Sequence, residues 1–393
     1  QKNHLNNPCH FHSGKTFFIL FFCAVVYAGF SLFGLRGNFS PDDFEYLPDR
    51  SSTVATASTA LVPPTHVKTP ESVKAIYMTS WVAGTTDWRN SMVKLIEETE
   101  LNSLIIDVKD YTGRISFKVS DPTLKEIGSE EIRIPDIREF LNHLHTKNIY
   151  VIARISVFQD PYMVKERPDL AVKRGDGLPW KDYKGISWID PASHEMWDYI
   201  IRVARESERV GFDELNFDYI RFPSDGNMKD MEFDFWDETT PKSDTMKEFY
   251  AYLSKGLKDV GVPISADLFG MTTWNDDDLN IGQILEDAAL YFDYIAPMVY
   301  PSHYPTGFQG FHNPAMHPYE IVKSAMERGS EKLLTASSSP NQLRPWLQDF
   351  DMGATYTAEM VKKQMQAVYD AGLTSWMLWA PSNRYTHEAL SEI

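Results

Sequence analysis

Cysteine is close to absent. The 393 residues contain two, Cys9 and Cys23, both within the first 36 positions, so everything after Arg36 folds without a disulfide. Positive charge is also scarce: 38 Lys and Arg stand against 55 Asp and Glu, a formal charge of −17. Because the first 36 residues carry Lys2, Lys15 and Arg36 and no acid, the rest of the chain stands at −20. Phosphate binding needs clustered positive charge, so nucleic acid is excluded as a partner. No H-E-x-x-H, G-x-S-x-G, G-x-x-x-x-G-K-[ST] or C-x-x-C occurs, which removes the easily read zincins, α/β-hydrolases, P-loop enzymes and thiol redox motifs. Histidines at metal spacing are missing too: His143 and His145 fall in a predicted helix, where i and i+2 do not share a face. The Asp276-Asp277-Asp278 run reads as solvated loop, and no metal or organic cofactor is expected.

Charge disappears altogether from residues 16–35, TFFILFFCAVVYAGFSLFGL, between Lys15 and Arg36. At about 1.5 Å per residue such a helix spans the roughly 30 Å hydrocarbon core of a bilayer. A cleaved signal peptide fits less well, since its apolar core is usually about 7 to 15 residues and ends close to an A-x-A site. Here the one candidate, Ala55-Thr56-Ala57, lies far downstream, and Leu20-Phe21-Phe22 lacks the small residue a lipoprotein needs before Cys23. The expectation is a cytoplasmic tail over residues 1–15 and an uncleaved single-pass anchor over residues 16–36. Lys2 and Lys15 hold the tail inside, so the rest of the chain is extracytoplasmic. Residues 37–72, rich in Ser, Thr and Pro without apolar periodicity, read as a flexible linker.

What remains, residues 73–393, has ample material for a core, the whole chain being 43% apolar and 13% aromatic. Short apolar strands are predicted over 75–81, 103–110, 150–158, 211–222, 263–270, 294–300, 343–350 and 374–381. Amphipathic helices alternate with them over 88–100, 135–147, around Met196, Ile200 and Val203, then over 243–260, 279–291, 318–328 and 357–371. Eight alternations predict an α/β fold, a (β/α)8 TIM barrel, with a doubly wound open sheet as the structural rival.

The fourth strand, within GFDELNFDYIRFP, puts Glu214, Asn216 and Asp218 on one face and Leu215, Phe217 and Tyr219 on the other. In such a barrel, polar residues near the strands' C-terminal ends converge on one pocket. Strand two offers Asp107 and Lys109, strand three Arg154 and Ser156, strand four Asn216 and Asp218, strand five Ser265 and Asp267, each pair two apart. Strands six to eight add Tyr300, Gln348 or Asp349, and Trp379. Inward charges are costly unless paired or used, so the set reads either as a functional site or as an ion-pair network closing the barrel top. Loop aromatics, among them Trp180, Trp188, Trp236, Trp274, Tyr304, Phe308 and Phe311, suit a surface on which sugar faces stack.

The segments AIYMTSWVAG, ELNSLIIDVKDYTG, GFDELNFDYIRFPSDG, YIAPMVYPSHY, LRPWLQDF and LWAPSNRYT resemble, in order, a family of TIM-barrel glycoside hydrolases, bacterial and often membrane-anchored or secreted. Strand four is also similar to the chitinase-type D-x-D-x-E strand, although Asn216 replaces an acid and Asp218 is shorter than Glu. The layout resembles α-amylase-type barrels as well, with a nucleophilic Asp ending strand four and an acid on strand five. The resemblance implies a carbohydrate-active enzyme; together with the anchor and the strand ends, the expectation is a membrane-tethered glycosidase acting on a polysaccharide or cell-surface glycan. Asp218 would be nucleophile or base and Asp267 the acid, with Asp107 and Asp349 as reserve carboxylates. Lys109 and Arg154 would hold hydroxyls or an acidic substituent, and Asn216, Tyr300 and Gln348 would position the sugar. Trp188, Trp274 and Trp379 would stack on it. A catalytically inactive carbohydrate-binding barrel and a polysaccharide lyase or transglycosidase are the alternatives.

Overall fold

The computed structural model describes residues 64–392. Eight parallel strands pair in sequence order and close into a barrel: β1 (Lys74–Met78), β2 (Ser103–Lys109), β3 (Tyr150–Ser156), β4 (Glu214–Asp218), β5 (Ile264–Phe269), β6 (Tyr294–Met298), β7 (Trp346–Gln348) and β8 (Trp376–Trp379). Between consecutive strands run α1 (Thr86–Glu98), α2 (Ile137–Thr146), α3 (His194–Val210), α4 (Lys242–Gly256), α5 (Leu285–Ala289), α6 (Pro318–Thr335) and α7 (Ala358–Asp370). Pairing of Lys74 with Trp376 joins the first strand to the last, which excludes the open doubly wound sheet.

The strand period of two sorts side chains into two separate apolar clusters. Along β3, Tyr150 and Ile152 point into the barrel with Tyr77, Ile105, Trp346 and Met377, while Val151, Ala153 and Ile155 join the larger cluster under the helices. Both faces are therefore buried, as a parallel sheet covered by helices requires. The helix side of that packing is legible in α3, whose Met196, Ile200 and Val203 are fully buried along one stripe.

Local chemistry sets the element ends, and there the predicted boundaries shift. Gly211, read as the start of strand four, instead caps α3 at φ 120°, so β4 begins at Glu214. Strand one was expected to reach Trp81. It stops at Met78 because the Thr79 hydroxyl accepts the Val82 N–H at 3.2 Å and starts a helical turn, Ser80–Ala83. Strand seven, expected over 343–350, keeps a regular ladder only over Trp346–Gln348. Leu343 makes an isolated bridge to Ile295, and Pro345 has no N–H to continue it. The helix expected over 279–291 shrinks to α5, since Leu279 and Asn280 take φ of 55° and 57°.

Beneath the barrel, residues 64–73 run across the N-terminal ends of the strands. Val67 N–H donates to Asp213 Oδ1 at 2.9 Å, the Thr69 hydroxyl to Tyr150 Oη at 3.2 Å and Val73 N–H to Ser375 Oγ at 3.0 Å. The predicted tail (1–15), anchor (16–36) and first part of the linker (37–63) lie outside the described residues. Among the described residues, no helix is long and apolar enough to cross a membrane.

Candidate active site

Strand β4 carries its polar face in three storeys. At the bottom, Glu214 accepts from Arg344 Nη1 at 2.7 Å and from Tyr150 Oη at 2.8 Å, a buried ion pair inside the barrel. One storey up, Asn216 Nδ2 donates to Ser265 Oγ at 3.1 Å and to Asp267 Oδ1 at 2.9 Å. At the top sits Asp218. Tyr219 then takes φ of 55°, an unfavourable left-handed conformation for a residue with a Cβ, and turns the chain out of the strand. Its N–H donates back to Asp218 Oδ1 at 2.6 Å, fixing that carboxylate.

Arg154 on β3 is the hub. Nη1 donates to Asp107 Oδ1 at 2.7 Å, Nη2 to Asp218 Oδ2, and Nε stands 3.6 Å from Asp267 Oδ2. One guanidinium thus serves three carboxylates from β2, β4 and β5, and all four side chains are nearly buried. Three carboxylates cannot all share one cation cheaply in a medium that solvates charge poorly. Burial, and after it the Asp218 charge, push the Asp267 carboxyl up to about 7. Burial also raises Asp107, against the pull of Arg154, while the Tyr77 hydroxyl donates to Asp107 Oδ2.

Asp267 Oδ1 is held by Asn216 and by the indole N–H of Trp346 at 2.8 Å, whereas Oδ2 accepts no hydrogen bond. Tyr300, just past β6, is buried near enough to feel the charges of Asp267 and Asp218. Its phenol, raised well above its ordinary value by burial and then by the Asp267 charge, stays protonated, and among the described residues its hydroxyl has no hydrogen-bond partner. Trp379, half-buried, lies 5.0 Å from the Arg154 guanidinium and stacks on Tyr77 with centroids 4.0 Å apart.

Of the residues expected at the mouth, Asp107, Arg154, Asn216, Asp218, Asp267, Tyr300 and Trp379 are brought together. Others are not. Lys109 was expected on the same face as Asp107, but the β2–β3 register shifts between them, a β-bulge that turns Lys109 to the helix layer. There its ammonium, fully buried, donates to Ser156 O at 2.6 Å and ion-pairs with Asp160 Oδ2 at 2.8 Å, near the Tyr199 ring of α3. Gln348 is fully buried and spends its amide on Ser302 N–H and Phe350 O. Asp349 accepts from the N–H and hydroxyl of Thr386 at 2.8 and 2.7 Å, clamping the segment after β8. Trp188 is 1% exposed with its indole N–H on Asp182, so it offers no open face, and Trp274 packs edge-on against Phe308.

Sequence reading missed Tyr77 and Trp346, although the same alternation that selects Gln348 on strand seven also selects Trp346. It also missed two exposed aromatics just past the C-terminal ends of β1 and β2: Trp81, 57% exposed and 4.5 Å from the Arg133 guanidinium, and Tyr111, 45% exposed.

Fold and site together define an enzyme-like barrel with carboxylates at its C-terminal mouth. Residues 75–385 match the family described as "Putative glycosyl hydrolase domain", and the chain belongs to that family, which makes it a glycan-active protein of the glycosidase type. No curated protein matches the sequence. Among solved structures, a hypothetical protein from Ruminiclostridium thermocellum is 33% identical, over 52% of this chain and 98% of that one, with a TM-score of 0.45. The PgaB (BpsB) glycoside hydrolase domain from Bordetella bronchiseptica shares the fold at 12% identity and a TM-score of 0.58, over 82% of this chain and 99% of that one. So does alpha-L-fucosidase isoenzyme 2 from Paenibacillus thiaminolyticus, at 12% identity and 0.54, over 81% of this chain and 48% of that one.

Proposed function

We infer that this protein is a glycoside hydrolase acting on a polysaccharide or cell-surface glycan, with Asp218 and Asp267 as its two working carboxylates. The observation that carries the reading is the unequal treatment of two acids on neighbouring strands. Asp218 is ion-paired with Arg154 and takes a backbone N–H, while Asp267 is held up to about 7, its Oδ2 accepting no hydrogen bond and standing 3.6 Å from Arg154 Nε. Glycoside hydrolysis needs that asymmetry. Asp267 Oδ2 gives its proton to the departing glycosidic oxygen as the bond to the anomeric carbon breaks. Asp218 either attacks that carbon or takes a proton from the water that does. Tyr300 donates a hydrogen bond to a sugar hydroxyl, and Trp379 supplies an apolar face. No step requires a metal or an organic cofactor.

A catalytically inactive carbohydrate-binding barrel is the second reading. It is favoured by one fact: Asp267 is 1% exposed and Asp218 already spends an oxygen on Arg154, as in an ion-pair network that only closes the barrel top. Incubating the full chain, in mild detergent, with cell-wall and exopolysaccharide fractions separates the two. Reducing ends released by wild type and lost in D218N support hydrolysis, whereas binding without release by either protein favours the inactive barrel. Unsaturated sugars among the products would instead mark a lyase, and lengthened oligomers a transglycosidase. We place the domain outside the cytoplasmic membrane, tethered by residues 16–36. Protease added to intact cells removes it if that is right and leaves it intact if it is cytoplasmic.

A further inference from the structure

Among the described residues, buried cations come with partners. Lys109, Arg133, Arg154, Lys332 and Arg344 each have a carboxylate within ion-pair distance. Arg221 does not, although it is only 4% exposed. Leaving a charge out of water without a counter-charge is costly, and a fold tolerates it where something else supplies the compensation. Part of it comes from three rings. The guanidinium lies 4.8 Å from the Trp188 centroid, 4.7 Å from Phe269 and 5.4 Å from Tyr219. Nη1 donates to Phe222 O at 3.0 Å and Ser224 Oγ at 3.1 Å, which orients the fork. Among the described residues, Nε and Nη2 donate no hydrogen bond.

The position of the fork matters as much as its chemistry. Arg221 follows Asp218 by three residues, and its ring partners are Tyr219, next to Asp218, and Phe269, two past Asp267. The fork therefore sits in the segment that leaves β4 and packs on Phe269 at the C-terminal end of β5, the two strands that carry the proposed catalytic carboxylates. Planar, bidentate recognition of a carboxylate is what such a fork does best.

We propose that Arg221 binds the carboxylate of an acidic sugar next to the bond being cleaved, so that the substrate is an anionic glycan. This rests on the hydrolase reading for its cleavage but not for its binding. The carboxylate could belong to a uronic acid or to a lactyl ether of the muramic type, and the two are separable by probe. The expected geometry is Nε and Nη2 on the two carboxylate oxygens, with the aromatic walls excluding water.

The test measures binding of the full chain to hyaluronan oligosaccharides and to muramic-acid-bearing peptidoglycan fragments, each beside its carboxyl-reduced form. At least one acidic probe should bind roughly 10- to 100-fold more tightly than its reduced form, the range for hydrogen bonds to a charged group. R221M should erase that difference, and R221K, which keeps the charge but not the fork, should retain only part of it. Equal affinity for acidic and reduced forms, or an R221M and R221K that discriminate as wild type does, overturns the proposal. Reducing ends counted in the same samples report separately on hydrolysis: a preference lost in R221M stands whether or not cleavage occurs.

Discussion

The indole N–H of Trp346 donates to Asp267 Oδ1 at 2.8 Å, and that bond decides which oxygen of the carboxyl is left to carry a proton. It also stabilises the ionised form, against the burial that favours the neutral one. Replacing Trp346 by Phe removes the donor and keeps an aromatic ring in the barrel. The carboxyl of Asp267 then rises further, and the alkaline fall of the pH–rate profile moves to higher pH. A lost hydrogen bond of about 1 kcal/mol corresponds to a shift of somewhat under one pH unit. A profile that stays put or moves to lower pH would contradict the assignment.

Asp267 also ties stability to pH. Its folded value, about 7, lies above the ordinary 3.8, so between those values the native state binds a proton that the unfolded chain has released. The stabilisation is complete below about pH 4 and is lost as pH rises through 7. Urea unfolding of wild type from pH 4.5 to 8.5 should therefore show a falling contribution that D267N lacks. Parallel curves for the two proteins would show that Asp267 titrates normally.

Glu214 and Arg344 pair at the bottom of the barrel, far down β4 from Asp218. R344M leaves Glu214 buried with only the Tyr150 hydroxyl, at a cost of about 3 to 5 kcal/mol. The unfolding midpoint should drop accordingly, while activity per folded molecule at low temperature stays within a few-fold of wild type. A selective loss of activity without loss of stability would move this pair from scaffold to chemistry.

Gly270 follows β5 directly, and a Cβ there would meet Met298 O at 2.4 Å. G270A must push apart the tops of β5 and β6, which carry Asp267 and lead into Tyr300. The expected result is a loss of roughly 2 kcal/mol, in the range of overpacking, with a fall in kcat larger than any change in KM. An unchanged kcat would show that the spacing of these two strands does not set the chemistry.

The barrel was legible because the strands are buried on both faces and the long helices, such as α3, show a 3.6-residue stripe. Element existence and order follow from that. The inward set on β4, from Glu214 to Asp218, follows from the period of two alone. Lys109 failed because a bulge adds one residue to β2, and a one-residue slip reverses the face of everything after it. Gln348 and Asp349 sit where the sequence put them, but nothing in residue type distinguishes a polar group that clamps a loop from one that meets a ligand. Trp188 failed for a related reason: its loop folds back and buries it against Arg221. The sharing of Arg154 among Asp107, Asp218 and Asp267 depends on side-chain reach across three strands, which no local pattern encodes.

If Asp267 is the acid and Asp218 the nucleophile or base, substitutions at the two separate according to the leaving group. A glycosidic bond with a poor leaving group needs protonation, whereas an aryl glycoside whose phenol is already acidic does not. The decisive measurement compares D267N and D218N on both kinds of glycoside of the sugar that wild type cleaves. D267N should lose about 10²- to 10⁴-fold on the unactivated glycoside and keep most of its rate of bond cleavage on the activated one. D218N should lose both. Equal losses on the two substrates in D267N, or substantial activity in D218N, would contradict the assignment.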